Sequence, residues 1–219
     1  MTNSAAASDT IGDAVASLGG AVQRQLGDAL KALHESDLGL AAAVVRGDAA
    51  INAARYAIEE QVTAELGSGS VQSDRLRFLI AVLNVVNDLE RMGDHCEGIA
   101  KVALMLGHER SSALPESLPV LGDMVAAMLA RGLAAFNSRD ADEARLTCAD
   151  DDAVDELYDT LYSELLAAMA DDRDRVVSDT YLLWVTHNLE RIADRVTNVC
   201  ERTVYLVTGH IDELNVSNY

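Results

Sequence analysis

Two pairs of carboxylates, Glu90 with Asp94 and Glu190 with Asp194, recur at a spacing of four residues. On an α-helix this spacing places both side chains on one face, one turn apart, where like charges repel by roughly 0.2–0.5 kcal/mol. A bound cation would reverse the sign of that interaction, because magnesium, iron and zinc all accept carboxylate oxygens as ligands. The spacing therefore makes both pairs candidate metal ligands. The alternative is a solvated acidic face, neutralised by the arginine that follows each glutamate.

A second set of acidic residues precedes each pair in the sequence. Asp151, Asp155 and Asp159 again rise in steps of four, and Asp48 with Asn52 occupies the matching place in the first half. If the helices that carry the two sets pack side by side, the carboxylates face one another. The candidate metal ligands are therefore Asp48, Glu90 and Asp94 in the first half and Asp151, Asp155, Glu190 and Asp194 in the second. The metal is a divalent or transition ion such as iron, zinc or magnesium, and its identity stays open.

Carboxylate sites on helices also occur in enzymes. Ferritin-like di-iron chemistry needs Glu-x-x-His pairs, and none of the five histidines has a glutamate three residues before it. The chain has no G-x-S-x-G, P-loop or G-x-G-x-x-G motif. We therefore predict a protein that is not an enzyme. A metal-dependent phosphohydrolase or redox enzyme that uses these carboxylates is the alternative.

Six segments carry apolar residues at steps of three and four, which is typical of amphipathic helices. The predicted helices cover residues 11–33, 38–66, 73–107, 120–136, 141–169 and 175–208. Short breaks separate them, and short connections make neighbouring helices antiparallel. The sequence therefore predicts an all-α protein built from two antiparallel three-helix bundles.

The second half of the chain repeats the first. The segments NDLERMGDH (87–95) and HNLERIADR (187–195) share Leu-Glu-Arg-x-x-Asp at an offset of 100 residues, and GDAAIN (47–52) resembles DDDAVD (150–155). A linker over 108–119 holds both prolines and separates the copies. We therefore predict two domains, 1–112 and 113–219, with residues 1–9 disordered.

The chain is strongly acidic, with a net charge of −19. Nucleic-acid binding is excluded, because phosphate backbones require clustered lysine and arginine. The same charge disfavours the capture of free phosphate over most of the surface. It favours metal cations, or a protein partner with a basic patch.

The cellular context follows from what the sequence lacks. Cys96, Cys148 and Cys200 form no CxxC pair, which suits a reducing compartment and predicts three small core residues. The N-terminal segment has no basic region of the kind found in signal peptides. No apolar run approaches the roughly 18–20 residues of a membrane helix. We expect a cytoplasmic protein that does not insert into a membrane.

The segments DLERMGDHCEGIA (88–100) and NLERIADRVTNVCE (188–201) resemble the repeated signature of the PhoU family. DDDAVDELYDTLYSEL (150–165) looks like that family's fifth helix, and the likeness covers about residues 10–210. The resemblance implies two similar three-helix bundles and, in some members, metal clusters on paired acidic motifs. By position those ligands are the seven carboxylates named above. Asn52 and Gly98 depart from the pattern, so the first site is the weaker candidate.

The same resemblance implies a role in phosphate control. Such proteins are negative regulators of phosphate uptake, and they couple the ATPase subunit of the phosphate ABC importer to a sensor histidine kinase. We expect a homodimer that reaches the inner face of the membrane through these partners. An accessory protein of a low-affinity phosphate transporter is the alternative within the same family.

Overall fold

The computed structural model describes residues 9–69, 71–107, 113–210 and 214. Within those ranges the chain forms seven α-helices, one short 3-10 turn and no β-strand. The helices are α1 (Thr10–Glu35), α2 (Leu38–Gly67), α3 (Ser73–Leu106), α4 (Ser117–Ser138), α5 (Ala141–Ala149), α6 (Asp151–Asp171) and α7 (Val176–Thr208), with the 3-10 turn at Arg173–Arg175. The predicted all-α class is confirmed.

Aspartates begin three of these helices. The carboxylates of Asp9, Asp37 and Asp140 each accept a hydrogen bond from a backbone N–H in the first turn of α1, α2 and α5, at 2.9–3.2 Å. Such caps satisfy donors that have no partner inside the helix. Because each cap lies directly after a break or at the chain's start, the sequence sets the helix boundaries locally.

The predicted fifth helix is divided at Asp150 into α5 and α6. Three consecutive aspartates, 150–152, occupy the division, and aspartate favours helix starts over helix interiors. Arg131 of α4 forms ion pairs with Asp150 and with Glu143, the latter at 2.7 Å. This cation holds the end of α5 against α4, and α6 starts a new acidic first turn.

The helices pack as two units, α1–α3 and α4–α7, in which α5 and α6 together stand for the predicted fifth helix. The long helices α3 and α7 make the most extensive contact between elements. The interface between α1 and α4 is reciprocal: a Cβ on Gly19 would meet Leu133 at 3.0 Å, and a Cβ on Gly122 would meet Leu30 at 3.0 Å. Both glycines and both leucines are related by an offset of 103 residues. The two copies therefore face each other about an approximate twofold relation.

One continuous apolar core runs through both units. Cys96, Cys148 and Cys200 are buried and free of disulfide bonds. Burial raises the pKa of Cys148 and of Cys200 to about 12, because the thiolate is poorly solvated there. The thiols are the small core residues that the sequence predicts.

Helix α4 corrects the prediction that no segment is apolar enough for a membrane span. Its 22 residues are long enough and apolar enough to cross a membrane, since the mean hydropathy over an 18-residue window of the helix is 1.4. Half of that window is buried inside the fold, where α4 packs against α1 and α7. The core of a bundle selects the same composition as a lipid bilayer, so the apolar face is explained by packing.

Two predictions concern residues largely outside the described ranges. The expected disorder of residues 1–9 falls there, apart from Asp9, which caps α1. The predicted boundary at 112–113 borders the undescribed residues 108–112. Helix α4 begins at Ser117, with Pro119 in its first turn, where a missing N–H removes no helix hydrogen bond.

Candidate functional site

Helix α3 carries a carboxylate almost into the core. Glu90 is only 7% exposed, between the fully buried Leu89 and Met92. Glu90 faces the core because it lies three and four residues from buried residues of α3, and residues at that spacing share one face of a helix. A charge at such depth requires partners or a bound cation.

The first cluster comprises Asp48 of α2 with Glu90 and Asp94 of α3. The pKa of Asp48 is raised, first by burial and then by the negative charges of Asp94, Glu97 and Glu90. The amide of Asn52 donates to Oδ2 of Asp48 at 2.8 Å and acts in the opposite direction. Oδ1 of Asp48 is buried without a hydrogen-bond partner. The structure thus brings the three predicted residues of the first half together.

Arginines supply the positive charge of the first cluster. The Arg55 guanidinium lies 3.6 Å from Glu90, and Nε of Arg91 lies 3.5 Å from the other carboxylate oxygen. Arg91 also donates to Asp94 at 3.1 Å. Oε2 of Glu90 nevertheless has no hydrogen bond. The arginines offset part of the negative charge of the cluster but leave Oε2 of Glu90 and Oδ1 of Asp48 without a hydrogen bond.

The second cluster comprises Asp151 and Asp155 of α6 with Glu190 and Asp194 of α7. The pKa of Glu190 is raised to about 7, first by burial and then by the negative charges of Asp194, Asp155 and Asp151, while Arg191 opposes them. Partial burial, with the charges of Asp194, Asp159 and Asp152, raises the pKa of Asp155 as well. The four predicted residues of the second half therefore share one electrostatic environment, as packing of α6 against α7 requires.

The cations of the second cluster are fewer. Arg191 places Nε at 3.0 Å from Glu190 and another nitrogen at 2.9 Å from Asp194. The place of Arg55 is taken by Tyr158, whose pKa is raised by burial and by the charge of Glu190. His187 lies 3.6 Å from Glu190, but burial lowers its pKa and favours the uncharged ring. The second cluster is the more electronegative of the two.

The donor atoms of the clusters are of the kind that a hard or borderline cation takes, but the described side chains are not arranged around one. Each cluster presents carboxylate oxygens from two neighbouring helices, and Oε2 of Glu90, Oε2 of Glu190 and Oδ1 of Asp48 are buried without a hydrogen bond. Over the described ranges, no group of three or more His, Cys, Asp and Glu side chains is arranged so that it could hold a metal ion. Instead, Arg91 and Arg191 each form ion pairs with both carboxylates of the neighbouring glutamate–aspartate pair.

Sequence reasoning missed three residues that shape the clusters. Glu97 adds a carboxylate beside Asp48, and its spacing of three from Asp94 and seven from Glu90 places it on the same helix face. Arg55 lies seven residues after Asp48, and Tyr158 lies seven residues after Asp151, so the same spacing rule identifies them.

The chain has counterparts among known proteins. A model of the PhoU domain matches the chain twice, over residues 15–103 and 118–203. The chain belongs to the PhoU family. Each match contains one complete cluster, so the two PhoU copies coincide with the two clusters.

Relatives and solved structures agree with this assignment. The phosphate-specific transport system accessory protein PhoU homolog of Clostridium acetobutylicum is 35% identical over 90% of this chain and 91% of its own length. PhoU of Escherichia coli K12 is 32% identical over 92% and 83%. The crystal structures of PhoU from Streptococcus pneumoniae and from Pseudomonas aeruginosa each match with a TM-score of 0.87, at 34% and 32% identity, over 93% and 91% of this chain and 96% of theirs. The PhoU fold therefore spans nearly the whole chain.

Proposed function

We propose that the chain is a regulator of phosphate-specific transport without catalytic turnover of its own. The observation that carries this proposal is the double PhoU match, together with relatives named as accessory proteins over about nine-tenths of the chain. The protein acts in the cytoplasm, as a homodimer, and reaches the inner face of the membrane through its partners.

The partners are the ATPase subunit of the phosphate ABC importer and the cytoplasmic part of a sensor histidine kinase. The net charge of −19 supports partners that present basic patches. By bridging the two proteins, the chain lowers uptake and kinase signalling when phosphate is abundant.

Binding of the purified chain to each partner, measured by biolayer interferometry, tests the bridge. We expect a complex with each partner and a three-component complex by size-exclusion chromatography with light scattering. The same light-scattering trace reports whether the free chain is a dimer. Absence of a complex with both partners, with and without phosphate and divalent cations, contradicts the proposal.

Each carboxylate cluster further holds a metal ion. Asp48, Glu90 and Asp94 provide the ligands in the first half; those of the second half are Asp151, Asp155, Glu190 and Asp194. Buried carboxylate oxygens without hydrogen bonds support this assignment, and so do the pKa values of Asp48, Asp155 and Glu190, which neighbouring carboxylates raise. A bound cation would supply the positive charge that offsets this repulsion.

Elemental analysis of protein purified without chelator, followed by titration of the stripped chain with Mn²⁺, Fe²⁺ and Zn²⁺, tests the metal sites. We expect binding that falls when the cluster carboxylates are replaced. Binding that the substitutions leave unchanged rules these clusters out as the metal sites, and leaves the partner proposal intact.

A further inference from the structure

A polar cleft of about 440 Å³ opens between the two halves, away from the carboxylate clusters' own ligands. Its walls are Asn84, Asn87 and Asp88 of α3 and Arg195, Asn198 and Arg202 of α7. Only one of the described residues that line it, Leu83, is apolar. The cleft therefore offers amide and guanidinium donors in a chain that is otherwise acidic.

The charges of the cleft leave one cation available. Asp88 accepts hydrogen bonds from Arg195 and from Asn198, both at 3.3 Å. Glu59, which also lines the cleft, is paired with Arg55 at 3.0 Å. Among the described residues Arg202 forms no ion pair with an acidic side chain within 4 Å, although its charge acts on Asp88 and opposes the raised pKa of that carboxyl. Its guanidinium thus has charge to offer a ligand.

The polar lining is not a requirement of the repeat. The contact between Arg195 and Asp88 has a counterpart 100 residues away, where Nδ1 of His95 lies 2.8 Å from the amide oxygen of Asn188. The helix crossing is therefore kept on both faces of the α3–α7 pair. The counterpart pair carries no carboxylate and no guanidinium.

Three further cleft positions diverge in the same direction, whereas Asn87 corresponds to the polar His187. Asn84, Asn198 and Arg202 correspond to Trp184, Gly98 and Val102 on the opposite face. Gly98 is needed there, because a Cβ would meet the Asn188 amide at 2.9 Å. At these paired positions both guanidinium groups, of Arg195 and Arg202, thus lie on a single face, and the fold alone does not explain that placement.

We propose that this cleft binds a small tetrahedral oxyanion that carries a proton, the class to which hydrogen phosphate belongs. Arg202 supplies the charge, and the Asn87 amide donates hydrogen bonds to the ligand oxygens. The Asn84 amide donates one N–H to the Ile80 carbonyl at 2.8 Å and has its second N–H for the ligand. Asp88 is an acceptor within the same wall, so an O–H on the ligand is favoured over a bare oxygen. Sulfate has no such proton at neutral pH and is bound more weakly. The inference does not depend on the proposed regulatory role.

Isothermal titration calorimetry with inorganic phosphate, in a phosphate-free buffer containing EDTA, tests the cleft apart from the metal clusters. We expect saturable binding to the full chain, and at least about tenfold weaker binding by Arg202→Gln, the loss expected for one charge-assisted hydrogen bond. Asn87→Asp, a change of an exposed residue, places a negative charge at the cleft and should weaken binding similarly. Arg46→Gln removes the same charge as Arg202→Gln from an exposed position on α2 outside the cleft, and should bind as the unchanged chain does.

Three results would overturn the proposal. The first is no phosphate binding up to millimolar concentration, and the second is equal binding by Arg202→Gln when circular dichroism shows it folded. The third is that adenosine monophosphate binds whereas phosphate does not, which would assign the cleft to a nucleotide. Sulfate binding as tight as phosphate removes the role given to Asp88.

Discussion

The two carboxylate clusters occupy equivalent places in the two halves, but they are surrounded by different charge. In the first, Arg55 follows Asn52 by three residues on α2, and its guanidinium lies 3.6 Å from Glu90. In the second, the same position is Tyr158, a neutral group that burial and the nearby carboxylate push further from ionisation. One backbone design therefore carries a partly neutralised cluster and a cluster with a larger net negative charge.

A second difference works in the same sense. Asn52 in the first cluster donates a hydrogen bond to Asp48, whereas its counterpart Asp155 adds another charge to the second. A duplicated fold preserves where side chains meet, but single substitutions decide whether the meeting point attracts or repels a cation. The second cluster is expected to bind metal more tightly.

Removal of the central glutamate gives the largest expected effect. Glu190→Gln should weaken metal binding at the second cluster about 100-fold, because it removes the charge of a direct ligand. This is the upper end of the loss caused by removing a residue that only supports the ligands. Glu90→Gln should have a smaller effect, since Arg55 and Arg91 already neutralise Glu90. Calorimetric titration with Mn²⁺ measures both, with Asp171→Asn as a control that removes an exposed carboxylate of α6. Equal losses in the two variants would show that the clusters do not differ.

Sequence alone predicted the all-α fold and placed the seven named carboxylates on helix faces that meet, but it missed Glu97 beside Asp48. Periodic apolar residues place Glu90 and Glu190 on the core-facing side of long helices, and the 100-residue repeat identifies the second site from the first. Both predictions rest on short-range geometry that the helix imposes.

What the sequence did not provide is the charge balance across helices. The ion pair of Arg55 with Glu90 joins residues 35 positions apart, and the cleft contact of Arg195 with Asp88 joins residues 107 apart. Such pairs depend on how helices cross and on their axial register, which periodicity does not determine. The division at Asp150 was also missed, because the acidic triplet continues the helical pattern while favouring a new start.

Substitution of Tyr158, the residue equivalent to Arg55, tests directly why the two clusters differ in charge. Tyr158→Arg should weaken cation binding at the second cluster by about tenfold, as a unit positive charge a few ångströms away predicts. The neutral variant Tyr158→Phe removes only the hydroxyl and serves as the control. If arginine and phenylalanine have the same effect at this position, the missing counter-charge is not the cause of the difference.

Asn52→Asp should bring the first cluster closer to the second. The substitution replaces an amide donor with a carboxylate beside Asp48, so we expect cation affinity there to rise by about three- to tenfold. Glu190→Gln is included as background, because it silences the second cluster and leaves one site to titrate. Unchanged affinity in Asn52→Asp would mean that residue 52 lies outside the coordination sphere.

The smallest effect is on the stability of the metal-free chain. In EDTA, Glu190→Gln should raise the free energy of unfolding by about 1 kcal/mol, because it removes a buried charge that Asp194, Asp155 and Asp151 repel. Glu90→Gln should give no gain, because it also removes the ion pair with Arg55. Urea denaturation followed by circular dichroism measures both variants. With added Mn²⁺ the unchanged chain should become more stable than Glu190→Gln, since it gains binding energy that the variant lacks. If Mn²⁺ leaves the order of stability unchanged, these carboxylates are not a cation site.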